Sequence, residues 1–176
     1  MKVYTKTGDK GETQVYAKQV LRLRKDDPIL ESYGTLDELN AHVGLLCSLL
    51  QQEYTEELKI QLVQVQQLLF QIGFAISAET KLVDDDVTAL EQSIDRMTEV
   101  LPAQTHFILP GGAQNASQAH ICRTVTRRAE RQLIRLSEGH DVPQVCIRYL
   151  NRLSDFFFVV SRWLNHHQGI NEPIVP

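Results

Sequence analysis

"TEELKIQLVQVQQLLFQIGFAISAE", residues 55–79, decides the fold. Leu58, Leu62, Val65, Leu69, Ile72 and Ile76 recur at intervals of three and four, so they share one stripe of an α-helix, and the glutamines between them supply a wetter face. Upstream, "YGTLDELNAHVGLLCSLLQQ" (33–52) repeats the spacing with Leu36, Leu39, Val43, Leu46 and Leu50. Thr35 and Glu38 have the spacing of a capping box, which predicts a helix over about 35–51. Downstream, Asp84, Asp85 and Asp86 place negative charge ahead of "VTALEQSIDRMTEVLP", where a helix dipole favours it, and Pro102 closes that third helix. "THFILPGGAQ" (105–114) breaks the pattern with Pro110, Gly111 and Gly112, and a fourth regular run follows over about 114–138, ended by Gly139. "QVCIRYLNRLSDFFFVVSRWLNHH" (144–167) carries Leu150, Leu153, Phe157, Val160 and Leu164 as a fifth helix. No stretch after residue 20 reads as a strand. Short polar connectors force neighbouring helices to run antiparallel, so the expected fold is all-α, a five-helix up-and-down bundle.

The 176 residues, 43% hydrophobic and 23% charged, suit a single domain with a sizeable core. A net charge of -4 argues against a nucleic-acid coat, which needs a basic excess to neutralise phosphates. Cys47, Cys122 and Cys146 are odd in number, unpaired in spacing and set in apolar helical patterns, as expected of reduced packing residues in a cytoplasmic protein. The first 25 residues lack the apolar segment of a secretory signal, and no membrane partner is expected.

The fourth helix, "SQAHICRTVTRRAERQLIRL" (117–136), departs from ordinary patterning. Arg123, Arg127, Arg131 and Arg135 recur every four residues as one stripe, Arg128 lies beside it, and Glu130 is the single acid among them. Such a stripe is either a solvated face bridged to acidic neighbours or a site for a polyanion, whose oxygens guanidinium forks hold in fixed geometry. On the fifth helix Asn151 shares a face with Asp155, and Arg148 with Arg152. That face is either a row of intrahelical bridges or an orienting group for a nucleotide. In the first helix Glu38 suits a capping role; Asp37 either caps as well or pairs with an arginine of the fourth helix.

No Glu-x-x-His pair or HExxH motif is present, so the six histidines are expected to be structural or superficial, with His120, one turn before Arg123, the most open to another role. "TKTGDKGET" (5–13) offers two glycines, hydroxyls and lysines, the makings of an anion-binding nest. The same residues also suit a frayed terminus with a turn.

Six segments, in order and spanning nearly the whole chain, resemble the PduO-type ATP:cob(I)alamin adenosyltransferases: "YTKTGDKGET" (4–13), "KDD" (25–27), "GTLDELNAHVG" (34–44), "FILPGG" (107–112), "RTVTRRAER" (123–131) and "YLNRLSD" (149–155). The resemblance implies a ferritin-like five-helix bundle with an extended N-terminal nucleotide-binding loop, assembled as a homotrimer with ATP between subunits. It divides the chain into an N-terminal ATP-binding segment (1–30), a bundle (31–168) and a tail (169–176). It assigns Thr5, Lys6, Thr7, Gly8, Thr13 and Lys25 to ATP, with Arg127, Arg128, Glu130, Arg131 and Asn151. Asp37 and Arg123 match a pair that bridges subunits on the corrinoid side, where His120 is also expected. Phe107 matches the aromatic residue beneath the corrin, which excludes the lower axial ligand. The implied reaction moves the 5'-deoxyadenosyl group of ATP to the cobalt of cob(I)alamin and releases triphosphate. Arg127, Asp37, Arg123 and Phe107 serve it, Mg2+ rides on the ATP phosphates through protein ligands not assigned, and a corrinoid reductase and an adenosylcobalamin-dependent enzyme act as partners. The alternative is a bundle that binds ATP or corrinoid without turnover, as a carrier or sensor. The sequence departs from the family around His120, at Ala119 and Cys122, and in a longer stretch between Thr13 and Lys25, which leaves contacts from Gln14 to Arg24 open.

Overall fold

The computed structural model describes residues 2, 4, 6–16 and 20–175. The chain opens with a two-stranded antiparallel hairpin, β1 (Glu12–Tyr16) and β2 (Val20–Arg24), followed by α1 (Pro28–Leu49), α2 (Glu56–Ser77), α3 (Asp84–Glu99), α4 (Gln114–Ser137) and α5 (Gln144–His167). The five helices expected from periodicity are all present, and α5 has the expected ends.

Two expectations are corrected. The longer stretch between Thr13 and Lys25 is a hairpin, with Glu12 opposite Arg24 and Gln14 opposite Arg22. "VLRLR" does alternate, but five residues give little periodicity to read, and the strand is fixed by its antiparallel pairing with β1, to which the exposed Arg22–Glu12 bridge at 2.6 Å adds little. Val15 is buried and Leu23 packs against the bundle. Helix α1 begins at Pro28, two turns before the expected start, because Asp27 Oδ1 accepts from Ile29 N at 2.9 Å and Pro28 suits the first turn. Thr35 therefore caps nothing and donates to the Glu31 carbonyl at 2.8 Å.

Long-range hydrogen bonds set the helix directions. Tyr33 Oη meets Ser77 Oγ at 2.7 Å, and Asn40 and Gln66 exchange side-chain to backbone bonds at 3.2 Å, so α1 and α2 run antiparallel. Gln118 Nε2 donates to the His42 carbonyl at 2.9 Å, and Asn151 Nδ2 to Glu130 Oε1 at 2.9 Å, which orients α4 against both α1 and α5. Arg148 with Asp84, and Arg152 with Glu91, make α3 and α5 parallel neighbours. The core draws on all five helices, and in it Leu39, Leu62, Leu133, Tyr149, Phe156 and Phe157 are sealed from solvent. Truncating such a phenylalanine costs about 3–5 kcal/mol. Ala119 and Cys122 sit in the same core at 0% exposure, and burial pushes the Cys122 thiol up to about 12 and Cys146 up to about 11. All three cysteines are free.

Glu53–Ser77 has the length and mean hydropathy, 1.2, of a membrane span, yet its apolar residues divide between two faces. Leu58, Leu62, Val65, Leu69 and Ile72 enter the core, whereas Ile60, Val63, Phe70 and Phe74 remain exposed.

Candidate functional site

Small and apolar residues on one side of α4, Ala116, Ala119, Cys122, Ala129 and Leu133, pack it between α1 and α5. The opposite side then carries the arginine stripe outward. Arg127, Arg131 and Arg135 are exposed and Arg123 is half-buried. Among the described residues none of these four has an acidic partner, and Arg123 Nε is buried without an acceptor. Burial first, and Arg127 second, lower the affinity of the Arg123 guanidinium for its proton. Four like charges at four-residue spacing repel one another, so the stripe is stabilised by any anion that arrives.

The neighbouring groups are paired. Arg128 bonds Glu38, which sits well inside α1, so Glu38 is an ion-pair partner rather than a cap. Glu130 accepts from Asn151, so these two expected site residues are brought together across the α4–α5 contact. Asp37 is exposed on α1 and forms no ion pair with Arg123 within the chain among the described residues. On α5 the arginines are bridged, but the expected intrahelical row holds only for Arg152 with Asp155 at 2.6 Å; Arg148 pairs with Asp84, and Arg152 with Glu91 at 3.0 Å, both across to α3.

The N-terminal segment forms a second polar surface. Gly11 N donates to Gly8 O at 3.2 Å, and Lys25 N to Gly11 O at 2.9 Å, folding the Gly8–Gly11 turn back on the end of β2. Gly11 takes φ +82° and Lys6 +60°, both in the left-handed region that lets successive amides face inward. A Cβ at Gly8 would lie 3.3 Å from Glu12 O and 3.5 Å from Lys25 Nζ, so glycine lets Lys25 approach. Thr7, Gly8, Thr13 and Lys25 line one cleft of about 470 Å³ with Glu12 and Arg22. Glu12 is neutralised by Arg22, whereas Lys25 has no ion pair among the described residues. Thr5 lies outside the described residues.

At the far end of the bundle, Phe107 is 83% exposed on the loop between α3 and α4, beside exposed Leu109, Ile174 and Val175. His120 lies beneath the surface at 4% exposure, its Nδ1 3.5 Å from Ser161 Oγ and its Nε2 without a partner. Burial first, then Arg123, hold its imidazole below the usual range, with Glu172 opposing. It is a buried ring, and reaching a bound molecule requires movement of its cover. Sequence reasoning missed Arg162, Asn165 and Glu172, which hold this end together. Arg162 interrupting an apolar helix and a glutamate in a short tail were the available signals.

Chemically, one helix face offers unneutralised guanidinium groups, a glycine turn offers amides and a lysine, and an exposed ring stands at the end of the same bundle. From His120 to Arg127 is about 10 Å of helix rise. A molecule of nucleotide size spans that interval.

Comparison with known proteins gives the same direction. Residues 3–164 match the family described as cobalamin adenosyltransferase. A corrinoid adenosyltransferase of Bacillus subtilis (strain 168) is 44% identical over 98% of this chain and 91% of its own length. A cobalamin adenosyltransferase of Cupriavidus metallidurans is 39% identical over 96% and 90%. Among solved structures, a variant PduO-type ATP:corrinoid adenosyltransferase from Lactobacillus reuteri complexed with cobalamin and ATP superposes with a TM-score of 0.89 at 39% identity, covering 99% of each chain. A second variant of the PduO-type enzyme from that organism, complexed with ATP, has a TM-score of 0.88 at 39% identity, covering 99% of this chain and 100% of its own. With similarity this extensive in both sequence and fold, the chain belongs to the cobalamin adenosyltransferase family.

Proposed function

We propose that this protein transfers the 5'-deoxyadenosyl group of ATP to the cobalt of a reduced corrinoid. The observation that carries the reading is the α4 stripe: Arg123, Arg127 and Arg131 lack an acid among the described residues, in a chain that belongs to a family of adenosyltransferases. Cobalt(I) attacks C5' of ATP, the cobalt–carbon bond forms, and the C5'–oxygen bond breaks with its electron pair leaving on triphosphate. No proton need move. The protein therefore supplies alignment and charge stabilisation rather than a base.

Arg127 and Arg131 hold the triphosphate and stabilise the charge it gains, and Arg128 joins them from its pair with Glu38. Glu130 and Asn151, already bonded to each other, orient the nucleoside. Lys6, Thr7, Gly8, Thr13 and Lys25, with Thr5, wrap the phosphates, and Mg2+ comes with them; its protein ligands are unassigned. Phe107 covers the lower face of the corrin and keeps the axial position of cobalt(II) empty, which eases its reduction. His120 and Arg123 support that side.

The site is completed by a neighbouring subunit in a homotrimer. In support, Asp37 and Arg123 lack partners within the chain among the described residues, and α2 leaves Ile60, Val63, Phe70 and Phe74 exposed in one row. Residues 1–176 act as one unit of N-terminal segment, bundle and tail. Three free thiols suit the cytoplasm, where a corrinoid reductase supplies cobalt(I) and an adenosylcobalamin-dependent enzyme consumes the product.

The test is anaerobic mixing of protein, ATP, Mg2+ and chemically reduced cobalamin, followed by the light-sensitive spectrum of adenosylcobalamin. Its appearance in an ATP-dependent manner is the expected result. ATP binding without any adenosylcobalamin would instead return the carrier or sensor.

A further inference from the structure

The loop between α3 and α4, residues 100–113, is tied at three points by α5 and the tail beyond it. At its start the Pro102 carbonyl accepts from Arg162 Nη2 at 2.9 Å. At its end Asn165 donates to the Gly111 carbonyl and accepts from Ala113 N, both at 3.0 Å. Gly112 takes φ +103° there, and a Cβ on it would lie 2.1 Å from Asn165 Oδ1. In the middle, Leu109 N donates to Pro173 O and Val175 N to Phe107 O, each at 2.8 Å, around an antiparallel bridge between Ile108 and Ile174. This middle tie is the one that holds the backbone of Phe107.

The tail strand that makes it is itself anchored by a buried charge pair. Glu172 Oε2 accepts from Arg162 Nε at 3.1 Å, with side chains only 16% and 9% exposed. The same guanidinium therefore fixes both Pro102 and Glu172. The second oxygen of Glu172, Oε1, is buried without a donor. Each member of such a pair depends on the other, and losing either one leaves the remaining charge buried and uncompensated. The simplest relief is for the tail to lift and let water reach the charge that is left. Pro173 and Val175 would leave Phe107 with it.

We propose that Arg162 and Glu172 are positioning residues: their ion pair latches the tail strand against residues 107–109 and so sets where the Phe107 ring stands. The inference rests on the adenosyl-transfer reading, in which Phe107 keeps the lower axial position of cobalt(II) empty. With the latch open, Phe107 drifts, and the step that needs an empty axial position suffers. Cob(I)alamin, supplied already reduced, bypasses that step. ATP, held on the other part of α4, is unaffected.

The test uses the full chain with Glu172→Gln, Phe107→Ala and both together. Transfer started from cob(II)alamin and a chemical reductant should fall about tenfold in Glu172→Gln, but less than about twofold from cob(I)alamin, with the Kd for ATP unchanged. Electron paramagnetic resonance of bound cob(II)alamin should show a smaller fraction free of axial-ligand splitting. In the Phe107→Ala background Glu172→Gln should add no further loss, because it acts through that ring. Equal losses from both cobalt states, or losses that multiply in the double variant, would overturn the latch. Hydrogen exchange gives a readout without turnover: the amides of Leu109 and Val175 should exchange faster in Glu172→Gln while those of α4 keep their protection. Unchanged exchange at both amides would refute the latch, whereas a wild-type chain that makes no adenosylcobalamin would strike the adenosyl-transfer reading and not the latch.

Discussion

Helices α4 and α5 pack against each other, and each carries arginines one turn apart, yet the fold treats the two sets differently. On α5, Arg148 meets Asp84, Arg152 meets Glu91 and Asp155, and Arg162 meets Glu172. On α4, Arg128 meets Glu38, while Arg123, Arg127, Arg131 and Arg135 meet no acid among the described residues. Spacing alone does not separate the two. Neutralisation does: a paired arginine serves packing and register, whereas a repelling row with no acid among the described residues is left free to take an anion.

The largest expected effect is on the unpaired row. Arg127→Ala should lower kcat/KM by about 10²- to 10³-fold, the scale of losing a donor aimed at developing charge, while thermal unfolding stays within about 2 °C. An unchanged rate would erase the distinction between the helices. Next is the N-terminal turn. Gly8→Val puts side-chain atoms against Glu12 O and Lys25 Nζ, and KM for ATP should rise about tenfold, the cost of displacing one charge-assisted contact. If KM holds, Lys25 does not reach the nucleotide.

Arg152→Met sharpens the comparison from the other side. Arg152 is about one-third exposed and its partners Glu91 and Asp155 about half, so both pairs are screened, stability should fall by no more than about 1 kcal/mol in urea unfolding and activity should stay within about twofold. A loss of activity like that of Arg127→Ala would mean that pairing does not distinguish the two sets.

The smallest effect is in pH. Burial and then Arg123 hold His120 below its ordinary value of 6.5, with Glu172 pulling the other way. As pH falls through that value the unfolded chain takes up the proton first, so the contribution is complete above 6.5 and is lost progressively below it. The urea midpoint of wild type should decline below that pH more steeply than that of His120→Gln. Parallel declines would remove His120 from the account.

The helices were legible because α2 and α5 bury long apolar stripes whose period survives any choice of neighbour. The N-terminal hairpin was not, since five-residue strands show too little period and their pairing, Glu12 opposite Arg24 and Gln14 opposite Arg22, is not set by spacing. Nor was the start of α1: Thr35 and Glu38 imitate a capping box, but Asp27 and Pro28 had begun the helix two turns earlier. Of the site, the arginine stripe and the glycine turn could be read from residue type and spacing. Which arginines are neutralised could not, because Glu38, Asp84 and Glu91 lie far away in sequence. The same holds for the tail, where Glu172 gains meaning only when Arg162 is found beside it.

The phosphorus product tests the central claim most directly. With ATP, Mg2+ and cob(I)alamin under anaerobic conditions, phosphorus-31 resonance should show inorganic triphosphate formed one-for-one with adenosylcobalamin, since attack at C5' leaves the phosphate chain whole. Release of pyrophosphate and phosphate during turnover, or no phosphorus product while the corrinoid is consumed, would contradict it.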